Sequence, residues 1–193
     1  MPIINHFDFV APWYDRVAHT DDPEPYRSLL AVSGGTLLDA GGGTGRVGAL
    51  LAKWADQVVV VDVSMGMLRQ AGTKDALRLT RAEVESLPLA NESIDRIVMA
   101  DAFHHVRDQA GVIQEMWRVL RPGGRIVIEE PNIHTFPVKI IAVVEKLLLM
   151  RSHIRTPEAI AAYFKSFPHC QVSITYRGYV VFVQIVKNEV GTA

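Results

Sequence analysis

The chain has 193 residues, with 20 Lys plus Arg against 21 Asp plus Glu and a single cysteine. A formal charge of −1 supplies no broad positive field for phosphate backbones or anionic lipid, which excludes nucleic acid as the main partner. Hydrophobic residues at 49% provide the core of about one domain, and one cysteine allows neither an internal disulfide nor a thiolate zinc cluster, which points to the cytoplasm.

The opening MPIINHFDFVAPWYD has no basic run followed by an apolar one, so no signal peptide is expected. Thr36 to Ala40, Gln57 to Val63, Ile94 to Ala100 and Arg125 to Glu130 are short, branched, apolar runs, and Leu77 to Thr80 is a weaker one. Such runs predict parallel strands covered on both faces. Between them, Thr44 to Lys53, Ser64 to Ala71 and Asp108 to Leu120 carry apolar residues at helical spacing, and Arg121-Pro122-Gly123-Gly124 stops the last. The repetition predicts right-handed crossovers in an α/β, doubly wound, mostly parallel sheet with helices on both faces. Beyond Glu130, an apolar stretch from Phe136 to Met150 and a helical pattern from Thr156 to Phe164 lead into two strand runs, Cys170 to Tyr176 and Tyr179 to Lys187. Lys139, Glu145 and Lys146 break the apolar stretch, which argues against a membrane span. Only Arg177-Gly178 parts the two final runs, so they should form an antiparallel hairpin at or near a sheet edge and bring the strand total to seven.

The richest chemistry lies in Leu37-Leu38-Asp39-Ala40-Gly41-Gly42-Gly43-Thr44-Gly45-Arg46, a strand running through a glycine turn into a helix. Such a junction is the usual nucleotide crevice of an alternating fold. Two registers compete. Gly43-x-Gly45-x-x-Gly48 fits the dinucleotide pattern and an NAD-dependent oxidoreductase; Asp39-x-Gly41-x-Gly43-x-Gly45 places a carboxylate at the strand end, repelling a pyrophosphate and suiting a ligand that carries ammonium and sulfonium groups. A non-catalytic cofactor-binding or scaffold protein is the third reading. No HExxH or CxxC occurs, and no metal is predicted.

With these residues in place, the sequence resembles the class I S-adenosylmethionine-dependent methyltransferases, in particular the type 11 group that includes the ubiquinone and menaquinone C-methyltransferases. The resemblance implies S-adenosyl-L-methionine as cofactor, a Rossmann-like sheet, and binding by Asp39, Gly41, Gly42, Gly43 and Gly45 of the first motif. It places Asp62, about 20 residues beyond the glycine turn, on the ribose hydroxyls, with Val63 beside it. Ala82-Glu83-Val84-Glu85-Ser86-Leu87-Pro88 is similar to the segment lining the adenine pocket, with Glu83 as acceptor for the amino group and Val84 in the wall. Ile94 to Val106 looks like the fourth strand and the loop facing the methyl group, which brings in Asp101, His104 and His105. Either histidine suits a general base; Glu129 and Glu130, ending the fifth strand on the same rim, are weaker candidates.

His6 to Asp15 resembles the start of this group, so residues 1–33 are read as a helical lid, with Tyr14 toward the acceptor. Residues 132–156 are read as a helical insertion over the acceptor site, where Ile141 and Val144 would meet a small, apolar or aromatic molecule. The whole chain is taken as one methyltransferase domain acting on a small-molecule acceptor.

Overall fold

The structure is a computed structural model and describes residues 22–133, 135 and 153–189. Its elements are α1 (Glu24–Leu30), β1 (Thr36–Ala40), α2 (Arg46–Leu51), β2 (Gln57–Asp62), α3 (Met65–Ala71), β3 (Leu77–Arg81), β4 (Ile94–Ala100), α4 (Gln109–Val119), β5 (Leu120–Pro131), α5 (Pro157–Phe164), β6 (Cys170–Arg177) and β7 (Val180–Lys187), with 3-10 turns at Ala52–Trp54 and Phe103–His105. The strands form one sheet in the order β3-β2-β1-β4-β5-β7-β6. The first five run parallel, β7 lies antiparallel between β5 and β6, and the expected hairpin closes the sheet.

Alternation along the central strands divides the apolar side chains between two layers. Leu37, Val58, Val60, Val98 and Val127 pack beneath α1 and α2, whereas Leu38, Ile97, Met99, Ile126 and Ile128 pack against α4 and α5. Parallel strands buried on both faces explain the unbroken valine run of β2. Side-chain caps fix the helix starts: Ser64 accepts from the Met67 amide, Asp108 from Gly111 and Thr156 from Ala159.

The arginine-proline-diglycine segment departs from expectation. It ends α4 but lies within β5, which begins at Leu120 rather than Arg125. Leu120 pairs with Ile94 and Arg125 with Arg96, so the extra residues form a bulge that delays the regular ladder. Tyr14, Ile141 and Val144, together with most of the predicted lid and insertion, lie outside the described residues.

Candidate methyl-transfer site

The carboxyl ends of β2, β1, β4 and β5 lie side by side and define a rim, with the glycine turn at its centre. The amides of Gly41 and Gly42 donate to the Val61 carbonyl, at 2.8 and 3.2 Å, and tie the turn to β2. Gly45 caps α2 with φ 69°, a left-handed conformation that favours glycine. Asp62 stands beside the turn with both carboxylate oxygens oriented by backbone: Oδ2 accepts from Gly43 at 2.9 Å and Oδ1 from Ser64 at 2.7 Å. A carboxylate oxygen can accept from more than one donor, so these bonds are compatible with hydroxyl donors as well. Val63 and Met65, next along the chain, are 49% and 39% exposed, which leaves an apolar surface where a flat ring can rest.

Asp39 turns inward. Its carboxylate is 1% exposed, and Oδ2 accepts from the Gly48 amide at 2.8 Å in the first turn of α2. Space for it exists because positions 42 and 48 are glycines: an added Cβ would lie 2.5 Å from the Asp39 Cγ at Gly42 and 2.9 Å from its Oδ2 at Gly48. Burial pushes the carboxyl up to about 6, against the Gly48 hydrogen bond and the Arg46 charge that hold it down. Asp39 therefore braces the turn with the oxygen expected to face the ligand.

Other expected residues separate. Glu83 is exposed, and its carbonyl accepts from the Ser86 amide; the Val84 side chain, 7% exposed, packs in the core with Leu87 and Ile94 instead of forming an open wall. Asp101 follows β4 with φ 53°, a strained backbone for a residue with a side chain, and its amide donates to the Glu129 carbonyl at 3.0 Å. His104 points into the protein, 1% exposed, with Nδ1 2.8 Å from Glu130 Oε2. Glu130 Oε1 accepts from the Phe103 amide, so this buried carboxylate, raised above its ordinary range mainly by desolvation, organises the 3-10 turn. Burial and the neighbouring His104 push His105 down to about 3, which keeps it neutral near pH 7 and a weak base.

Tyr26 and Gln109 reach this region without a local sequence signal. The Tyr26 hydroxyl donates to Glu129 Oε2 across 103 positions. The Gln109 Nε2 donates to the carbonyls of Phe103 and His153 at 3.2 and 3.0 Å, while its Oε1 accepts from Arg155 Nε at 3.0 Å.

A family model described as a methyltransferase domain matches residues 38–128, the stretch from β1 through most of β5. Residues 38–128 carry a methyltransferase domain. This methyltransferase domain is 37% identical, over 147 residues, to the ubiquinone/menaquinone biosynthesis C-methyltransferase UbiE of Syntrophotalea carbinolica, covering 68% of this chain and 62% of that protein. It spans about half the length of the curated relatives it matches. A chain from the Haloferax volcanii complex of the Trm112 methyltransferase activator with a methyltransferase superposes with TM-score 0.78 at 17% identity, covering 97% of this chain and 100% of that one. An S-adenosyl-L-methionine-dependent methyltransferase of Methanococcus maripaludis superposes with TM-score 0.69 at 20% identity, covering 96% and 92%. At these identities the two superpositions speak to fold alone. Among the described residues, no group of three or more His, Cys, Asp or Glu gathers as a metal site, and no helix is long and apolar enough to cross a membrane.

Proposed function

We propose that this chain transfers a methyl group from S-adenosyl-L-methionine to a small, largely apolar or aromatic acceptor in the cytoplasm. The observation that carries the reading is the oriented Asp62 carboxylate, held by the Gly43 and Ser64 amides beside exposed Val63 and Met65. That arrangement suits a ribose diol with an adenine ring next to it, and Glu83 is near enough in sequence to the same rim to serve the adenine amino group. The dinucleotide reading loses support from Asp39, whose carboxylate caps the helix start that a pyrophosphate would need.

The bound cofactor supplies an electrophilic methyl on a sulfonium with a good leaving group. The chain's work is to orient and to exclude water. Asp62 fixes the adenosine end at β2, and the turn Gly41 to Gly45 lets the cofactor approach the backbone closely. Asp39 keeps that turn in shape and adds negative charge beneath the sulfonium side. At the carboxyl ends of β4 and β5, Asp101 and the wall containing His104 and His105 would line the acceptor side of the bound cofactor. UbiE, by its name, acts in quinone biosynthesis, and an aromatic acceptor here follows that relative; Tyr14, Ile141 and Val144 are assigned to contact it.

Calorimetric titration with S-adenosylhomocysteine and with NADH tests the cofactor reading. Wild type should bind the first and not the second. Asp62→Ala should weaken S-adenosylhomocysteine by roughly 1–3 kcal/mol, about 5- to 150-fold, because ribose donors lose their acceptor. Tight NADH binding without a response to S-adenosylhomocysteine would refute the proposal.

A further inference from the structure

Two glutamates end β5, and the structure separates their duties. Glu130 faces the α4 side and has both oxygens engaged, by the Phe103 amide and by His104. Glu129 faces the other layer. Through the pairings Asp39 to Val98, Val98 to Val127 and Ala100 to Glu129, it lies on the same face as Asp39 and level with the glycine turn, two strands away. Two strand spacings amount to about 10 Å. Asp62 stands on β2, one strand to the other side of β1, so a cofactor held there by its adenosine would leave the β4 and β5 end of the rim for the acceptor. By strand order and register, Glu129 lies at that end of the rim.

Its carboxylate is held at one oxygen only. Tyr26 of α1 is fully buried, its ring is set edge-on to Phe182 at 5.6 Å, and its hydroxyl donates to Oε2. Oε1 makes no hydrogen bond among the described residues and is not one of the sealed, unpaired atoms. Glu129 is thus a nearly buried carboxylate, 6% exposed, with Oε2 held by Tyr26.

We propose that Glu129 Oε1 takes the acceptor's proton during methyl transfer and that Tyr26 positions it for this step. The proposal rests on the cofactor reading above. As the acceptor atom X forms its bond to the methyl carbon, the carbon–sulfur bond breaks with its electron pair remaining on sulfur. The X–H proton passes to Oε1, so the sulfonium charge ends as a proton on a neutral carboxylic acid, which returns it to solvent. Desolvation, reinforced by the charge of Glu130, lifts Glu129 to about 7, the range in which a base both accepts and releases protons at working pH. The titratable groups around it are Tyr26 on α1, Glu130 on its own strand and Asp101, whose amide donates to the Glu129 carbonyl, at the β4 rim; β7 offers apolar Phe182.

Two measurements test this. In the ligand-free protein with carbon-13 glutamate, the Glu129 carboxyl should titrate near neutrality, and Tyr26→Phe should move its midpoint up by about one pH unit, because the ionised form loses a donor. In turnover with a short-chain demethylmenaquinol and related aromatic O–H and C–H acceptors, Glu129→Gln should lower kcat by about 100-fold or more and flatten its pH profile. S-adenosylhomocysteine affinity should stay within about two-fold. Tyr26→Phe should retain turnover but shift the profile with the carboxyl midpoint. A Glu129 carboxyl with no midpoint between pH 5 and 9, or a Gln variant with wild-type kcat, would overturn the assignment. Failure of the wild type to bind S-adenosylhomocysteine would instead remove the cofactor reading, a result distinct from either.

Discussion

Replacing Asp39 by Asn should make the protein more stable at neutral pH, and the size of the gain follows from its surroundings. The carboxyl is 1% exposed and sits at about 6 in the fold against an ordinary 3.8. At about 1.4 kcal/mol per pH unit, keeping it ionised near pH 7 costs roughly 3 kcal/mol relative to the unfolded chain. The sign follows from proton counting: between about pH 4 and 6 the native state holds more of this proton than the unfolded state does, so this contribution falls as pH rises through that window. Asparagine keeps an oxygen for the Gly48 amide while losing the attraction to Arg46, which leaves a net gain of about 1–2 kcal/mol, or roughly 2–8 °C in Tm for a chain of this size. Thermal and urea unfolding of both proteins from pH 4 to 8 should show curves that converge at the acid end, diverge between about pH 4 and 6 and keep a level gap above it. A variant less stable than wild type at pH 7.5, or a difference constant across the range, would refute the reasoning. A stabilising substitution at this position would also mean that the acid is maintained at a cost for what it does to the ligand.

Gly42→Ala places a Cβ against the Asp39 carboxylate and should cost about 1–3 kcal/mol in urea unfolding; in Asp39→Ala/Gly42→Ala the two effects should couple by about 1 kcal/mol or more, and strict additivity would count against the steric account. Gln109→Leu removes the hydrogen bonds to the Phe103 and His153 carbonyls and from the Arg155 Nε, so thermal unfolding should report a loss of about 1–2 kcal/mol, and an unchanged Tm would show that Gln109 does not hold the Phe103–His105 turn to the segment entering α5.

What the sequence disclosed was mostly what local pattern can encode. TLLDA and IDRIVMA have as strands the bounds their composition suggested, and Ser64 caps its helix, because branched periodicity and caps act over a few residues. The hairpin was legible from the short connection between its strands. Side-chain direction was not. Asp39 turns inward because Gly42 and Gly48 leave room on that side, a fact about the absence of atoms in a neighbouring turn. His104 turns inward because Glu130, 26 positions later, waits for it; two adjacent histidines read alone say only that one of them faces in. The start of β5 is not legible in the sequence, because a proline and two glycines signal a break, whereas Leu120 finds a partner in Ile94 beyond the bulge. Tyr26 has no sequence mark that ties it to Glu129, since the contact is a product of topology.

The antiparallel strand β7, lying between β5 and β6, imposes a timetable on biogenesis. As the polypeptide leaves the ribosome, the parallel strands can assemble in succession, each laid beside one already made, but β5 acquires its second neighbour only when Val180–Lys187 has emerged. At about 5–20 residues per second, the Ile126-Val127-Ile128 edge spends several seconds with a row of unpaired backbone groups. During that interval the nascent sheet is a template for any extended chain nearby, and chaperone occupancy should peak there. Arrest of translation between residues 131 and 180 would therefore yield a more adhesive fragment than arrest before β5 or after β7.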